Sequence, residues 1–110
     1  MSEHHPPADL STAVEHEGDT TVLRVSGEVD LVNAHELAAA LDEAAGSGGA
    51  LVVDLCEVPF MDSTGLRSII QMRERFERDG RPPLRVRLDE QGPVARLLDL
   101  VGLRDVLTDG

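Results

Sequence analysis

The chain has 110 residues, a formal net charge of −11, 41% hydrophobic residues and only 2% aromatic ones. That length makes one compact domain, and a core of Leu, Val, Ile and Ala suits helices packed on a sheet. The acidic balance argues against nucleic acid and anionic membranes as direct partners, and no apolar run reaches membrane-spanning length.

The 10 basic side chains are all arginine, which excludes any mechanism that needs a lysine. The single cysteine, Cys56, leaves no intramolecular disulfide and fits a reducing compartment. Its place in an apolar run predicts a small buried hydrophobe. The start, Met1 to Pro7, is polar and has no apolar signal region, so the expected location is cytoplasmic.

In chain order, residues 1–9 read as a flexible tail and 10–110 as the domain. His4 and His5 are adjacent but bring no further ligand, and no metal site is expected. Residues 10–17 alternate loosely through Leu10, Thr12 and Val14, and Gly18-Asp19 signals a turn. From Thr20 to Ser26, Val22, Arg24 and Ser26 alternate with Thr21, Leu23 and Val25, so the two segments predict a hairpin. Gly27-Glu28-Val29-Asp30 closes the second strand. Asn33, with Glu36 three residues on, has the spacing of a capping box. Ala34, Leu37, Ala38, Leu41 and Ala45 then recur at helical spacing up to Gly46.

Leu51 to Leu55 is an apolar run broken only by Asp54, the pattern of a strand covered on both faces. A loop from Glu57 to Asp62 leads to a helix over Ser63–Arg78. Leu66, Ile69, Ile70 and Phe76 form its apolar stripe, with Arg73/Glu77 and Glu74/Arg78 as i,i+4 pairs. After Asp79 to Pro83, the alternation of Leu84, Val86 and Leu88 predicts a half-exposed strand. Pro93 opens a last helix with Val94, Leu97, Leu98 and Val101 inward, and Gly102 ends it. Leu103, Val106 and Leu107 pack the tail. The order is β-β-α-β-α-β-α, an α/β domain with a central, mostly parallel sheet and packed helices.

The stretch that bears chemistry is Val58-Pro59-Phe60-Met61-Asp62-Ser63-Thr64-Gly65-Leu66. It leaves the carboxyl end of a buried strand and opens a helix, the edge where open α/β sheets handle ligands. Ser63 is placed as the N-cap, with its hydroxyl near the free N–H groups of the first turn, where a phosphate could be accommodated. On local chemistry alone, Asp62-Ser63-Thr64 reads as an ordinary helix start.

The segment resembles the signature of the STAS domain (sulphate transporter and anti-sigma factor antagonist). Val53-Asp54-Leu55 stands for its strand end, and Phe60-Met61-Asp62-Ser63-Thr64-Gly65-Leu66 for its central motif. Gly27-Glu28-Val29-Asp30 is similar to a second family element, and Leu97-Leu98 with Gly102-Leu103 to the family's C-terminal helix ending. The resemblance runs from Leu10 to Leu107. It implies an anti-sigma factor antagonist in which Ser63 is phosphorylated by a partner anti-sigma factor that is also a serine kinase. A PP2C-like serine phosphatase would reset it, and the unmodified protein would hold the anti-sigma factor and free the sigma factor. It implies no catalysis and no cofactor, and a monomer when free. Thr64 is the alternative phosphoacceptor. The expected partner surface comprises Gly27, Glu28, Asp30, Asn33, Asp62, Ser63, Thr64, Gly65 and Arg67. Arg67 stands where many members carry a second glycine, and its cation could reach a phosphate on Ser63.

Three other readings use the same residues. Ser63 with His35 and an aspartate suggests a hydrolase, but a nucleophile elbow needs glycine two residues before the serine, where Met61 stands. Asp54 with Glu28 and Asp30 suggests a receiver domain, but receivers use a lysine and a strict βα alternation. A STAS module acting as a fixed scaffold in a larger signalling complex would share the fold without needing Ser63.

Overall fold

The computed structural model describes residues 9–108, so apart from Asp9 the expected tail lies outside the described residues. The two alternating segments form a hairpin: β1 (Ser11–Glu17) runs antiparallel to β2 (Thr20–Ser26), with Glu17 opposite Thr20. Gly18 turns the chain at φ 64, a left-handed conformation that glycine adopts without steric cost. β3 (Ala50–Glu57) pairs parallel with β2, and β4 (Arg85–Arg87) parallel with β3, giving the sheet order β1-β2-β3-β4. Parallel neighbours need long crossovers, supplied by α1 (Ala34–Ala45) and α2 (Ser63–Arg78). α3 (Pro93–Leu100) and α4 (Arg104–Thr108) complete the domain. The expected order is therefore present, with α4 added. Its five residues are too few to show a helical period.

The core lies against one face of the sheet. Across the four strands Val14, Leu23, Val53 and Val86 stand opposite one another in a single apolar row. Leu37, Leu41 and Ala44 from α1 and Leu66, Ile69, Met72 and Phe76 from α2 join Leu23, Val53 and Val86 in one buried cluster. Full burial of each Leu- or Phe-sized side chain contributes about 1.5–3 kcal/mol, so this one-sided layer supplies most of the driving force. Met72 takes a place in the α2 stripe that Ile70 was expected to fill; Ile70 is only half-buried.

The opposite face is covered only in part, where a strand covered on both sides was expected: Val22 and Asp54 are buried on it, and Cys56 is not. It carries Glu15, Val22, Arg24, Val52, Asp54, Arg85 and Arg87, and Cys56 is exposed rather than buried. Asp54 is 6% exposed, accepts a hydrogen bond from the Cys56 amide at 2.9 Å and faces Arg87 Nη1 at 3.7 Å. Loss of hydration, and then Asp54 beside it, push the Cys56 thiol up to about 11, so it stays protonated at neutral pH.

The expected pairs Arg73/Glu77 and Glu74/Arg78 do not form among the described residues. Arg73 instead donates to the Leu84 carbonyl at 2.8 Å, and Arg75 pairs with Asp42 of α1 at 2.8 Å. A main-chain carbonyl otherwise short of a partner is a better acceptor than an exposed carboxylate one turn away. Val101 and Val106, expected inward, are exposed, and Leu97 is half-buried, because α3 ends at Leu100 and Gly102, at φ 73, redirects the chain.

Arg81 fastens the pole where α1 and α2 end. Its guanidinium donates to the Ala45 carbonyl at 3.0 Å and the Gly49 carbonyl at 2.9 Å, and lies 3.9 Å from the centroid of the Phe76 ring. Two hydrogen bonds from a charged donor and a cation–π contact are together worth about 2–3 kcal/mol at a partly exposed site. Arg81→Ala should therefore lower urea-unfolding stability by about that amount, whereas the exposed Arg78→Ala should change it by about 0.5 kcal/mol or less. Equal effects of the two would show that these contacts contribute nothing specific.

Candidate functional site

At the carboxyl ends of β2 and β3 two irregular segments are fastened side by side. Val29 forms an isolated parallel bridge with Met61. The Val29 amide donates to the Phe60 carbonyl at 3.0 Å, and the Asp62 amide donates back to the Val29 carbonyl at 3.1 Å. Gly27 adds an amide bond to the Glu57 carbonyl at 3.3 Å. The register between β2 and β3 shifts by one residue after Arg24, a bulge that ends regular pairing where the site begins.

α2 opens on Asp62, not on Ser63. Asp62 is the N-cap: its Oδ1 accepts from the Thr64 amide at 2.9 Å, from the Gly65 amide at 3.4 Å and from the Thr64 hydroxyl. These bonds, the Thr64 hydroxyl first, hold the Asp62 carboxyl below the usual carboxylate range, against the opposing effect of its own desolvation. Ser63 becomes the first helical residue. It is exposed, and among the described residues its hydroxyl bonds to no other group. Thr64 is half-buried with its hydroxyl engaged. The two candidate acceptors are thus in opposite states.

The 27–33 loop is built on an Asx turn. Asp30 Oδ1 accepts from the Val32 amide at 3.0 Å and the Asn33 amide at 3.3 Å. Asn33 does not form the expected capping box with Glu36. Its Oδ1 accepts from the Asp30 amide and its Nδ2 donates to the Glu28 carbonyl, each at 2.9 Å, so the side chain serves the loop and leaves the helix start uncapped. Glu28 contributes its carbonyl, and Asp30 and Asn33 hold the backbone. All of the expected partner residues except Arg67 belong to these two fastened segments and their junction. Arg67 is exposed one helical turn after Ser63 and has no ion pair among the described residues.

Gly65 explains why the two segments can meet. A Cβ there would lie 2.6 Å from Val29 Cγ1 and 3.0 Å from Met61 Cγ, inside any tolerable contact. Leu31, Val32 and Phe60 are 75%, 80% and 47% exposed and flank this junction, a group of apolar side chains the sequence reading missed. Their only signal was two adjacent apolar residues inside a polar turn, outside any helical or strand period.

Among the described residues no imidazole is hydrogen-bonded to Ser63, and His35 is exposed at the start of α1. No group of three or more potential metal ligands occurs among the described residues. Asp54 belongs to the open sheet face under Arg87, away from the acid pair a receiver would need. What the site offers is one unengaged hydroxyl beside a carboxylate, ringed by polar turns and exposed apolar side chains.

The sequence signature of the STAS domain matches residues 11–108. The chain belongs to the STAS domain family. Anti-sigma-F factor antagonist RsfB of Mycobacterium tuberculosis is 37% identical over 72 residues, covering 64% of this chain and 58% of that protein, so the match spans less than two thirds of that relative. An anti-sigma-B factor antagonist of Bacillus subtilis is 31% identical over 93 residues, 84% of this chain and 83% of that one. The crystal structure of an anti-sigma factor antagonist from Mycobacterium paratuberculosis superposes with a TM-score of 0.77 at 28% identity, covering 90% of this chain and 83% of the other. The α/β architecture read from the sequence is that of this STAS relative.

Two outcomes test the local geometry. Gly65→Ala should cost about 1–3 kcal/mol through overpacking. The same change in a Val29→Ala background should cost measurably less, and a coupling near zero in that double-mutant cycle would separate the two residues. Asp62→Ala should cost about 1 kcal/mol at neutral pH, as loss of an N-cap does. Because the folded carboxyl has the lower pKa, its contribution is full above the unfolded value, about 3.9, and fades as pH falls through the folded one. The two melting temperatures should therefore draw together as the pH falls below about 3.9, and a difference that does not change with pH would reject the charged cap.

Proposed function

We propose that this chain is an anti-sigma factor antagonist whose grip on an anti-sigma factor is switched by phosphorylation of Ser63. The observation that carries the reading is the contrast at the start of α2: the Ser63 hydroxyl is exposed and unengaged, while that of Thr64 is bound to Asp62. In the proposed cycle the anti-sigma factor, a serine kinase, transfers the γ-phosphoryl group of ATP to Ser63 Oγ. The hydroxyl proton leaves and ADP is released. A PP2C-like phosphatase hydrolyses the ester in the cytoplasm, where the sigma factor works. Binding draws on the fastened segments, with Leu31, Val32 and Phe60 as apolar contacts around a neutral hydroxyl.

Electrostatics supply the switch. A phosphoserine adds about −1.5 to −2 charge beside a carboxylate already ionised at neutral pH. Asp62 holds the Thr64 and Gly65 amides, so the phosphate would share donors already in use. Arg67, one turn on, is the cation placed to meet it. A partner surface fitted to the hydroxyl would have to desolvate that dianion, at about several kcal/mol if it went unpaired. Within the domain the opposing terms are each about 1 kcal/mol, too small to remodel a packed core.

Calorimetric titration with the anti-sigma factor of the same organism should show Ser63→Ala binding like the parent, and Ser63→Glu weakened by about ten-fold or more. Equal affinities would reject the switch. After phosphorylation by that kinase, mass spectrometry should find the added phosphate on Ser63. Chemical shifts should change near 27–33 and 60–67 only, and the melting point by about 8 °C at most. Phosphate on Thr64 or Asp54, or shifts spread across the sheet, would overturn the account.

A further inference from the structure

We propose that two copies of this chain join through the outer edge of β1, antiparallel about Val14, so that two four-stranded sheets become one sheet of eight strands. β1 is the first strand of the sheet, and its outer edge pairs with no strand among the described residues. Its register against β2 is unbroken from Ser11 to Glu17. The edge carries little of the usual protection: the segment Ser-Thr-Ala-Val-Glu-His-Glu has no proline, no lysine, no bulge and no shortening, and its charges are confined to Glu15 and Glu17.

The segment is also complementary to itself. An antiparallel pair centred on Val14 sets Val14 against the second copy's Val14, Thr12 against His16, Ala13 against Glu15 and Ser11 against Glu17. No two like charges face each other, the condition an edge pairing must meet. On the helix-covered face the apolar row Val86, Val53, Leu23 and Val14 now ends at Val14, which is 40% exposed. Across the seam the row would continue through the second copy's Val14 into its own core face. On the open face, Glu15 of the second copy would sit beside Ala13, whose other neighbour is Arg24. Arg24, already 3.5 Å from Glu15 of its own copy, would lie between two carboxylates across a small side chain. A one-residue shift of this register would turn Val14 to the polar face of the joined sheet, which fixes the pairing.

The two-fold axis sets β2 of one copy antiparallel to β2 of the other. The two Ser63 sites would therefore point to opposite ends of the joined sheet, and neither would be covered. The inference does not depend on the switch proposed above. It replaces the expected free monomer with a weak dimer, since one strand edge buries little area. Each copy carries a net charge of −11, so added salt should strengthen the pairing.

Sedimentation equilibrium from about 10 µM to 1 mM, at low and moderate salt, reads the association directly. The parent chain and Val14→Ile should dimerise within that range. Val14→Glu, which sets two carboxylates against each other on an exposed strand that tolerates charge, should weaken association about ten-fold or more. In a Cys56→Ser background, Val14→Cys should form an intermolecular disulfide under mild oxidation, and Glu43→Cys on the exposed side of α1 should not. A chain that stays monomeric at the highest concentration overturns the proposal. So does a dimer that Val14→Glu leaves unchanged, or one in which Val14→Cys fails to cross-link, since the contact would then lie elsewhere.

Discussion

The contact of Val29 with Gly65 sets the geometry of the whole functional end of the molecule. Val29 belongs to the segment leaving β2, and Gly65 to the first turn of α2. With no Cβ at 65, the valine side chain can enter the helix start, and the two backbones come near enough to exchange the Val29–Phe60 and Asp62–Val29 hydrogen bonds. Those bonds fix where Asp62 stands. Asp62 in turn takes the Thr64 hydroxyl and the first amides, which leaves Ser63 as the outward residue. One missing methyl group therefore decides which hydroxyl faces the solvent.

Charge is distributed unevenly for so acidic a chain. Two arginines are turned towards main-chain oxygen rather than towards acids, Arg73 to Leu84 and Arg81 to Ala45 and Gly49, while Arg104 binds both the Glu90 carbonyl and the Asp99 carboxylate. The planar, forked guanidinium can serve two carbonyls at the end of a helix or loop, which a lysine ammonium does less well. Carboxylates are left largely on the surface, where hydration is cheap. The exception is Asp54, held under Arg87 and accepting from the Cys56 amide two residues on in its own strand.

Much of this was legible in the sequence because period and punctuation agreed. The bounds of β1, β2 and α2 follow from alternation, from Gly18-Asp19 and from the 3.6-residue stripe, and the motif at 60–66 pointed to the candidate site. What was not legible depends on pairs distant in sequence. Asp62 and Ser63 are both good N-cap residues, and only the bridge to Val29 decides between them. The sequence spacing of Asn33 and Glu36 suited a capping box, but Asp30 and Glu28 offered Asn33 nearer partners. Cys56 sits in an apolar run, yet the run alternates between a covered and an open face, and burial of Asp54 disguised that. Arg73 and Glu77 had helical spacing, but the Leu84 carbonyl, just before β4, lay within reach.

The glycine-rich loop before β3 has a consequence at the other end of the molecule. Gly49 approaches the Asp19 carbonyl so closely that a Cβ would lie 2.4 Å from it, and Arg81, just past the end of α2, grips the same loop. The hairpin turn, this loop and the Gly80 turn thus make a second pole, separated from the first by the length of β2, about 23 Å for seven residues. Gly18 and Gly80 have open space around them. A fluorophore or an inserted sensory module attached at either turn would ride on the rigid sheet without crowding the opposite end, so the fold is suited to being wired into larger proteins.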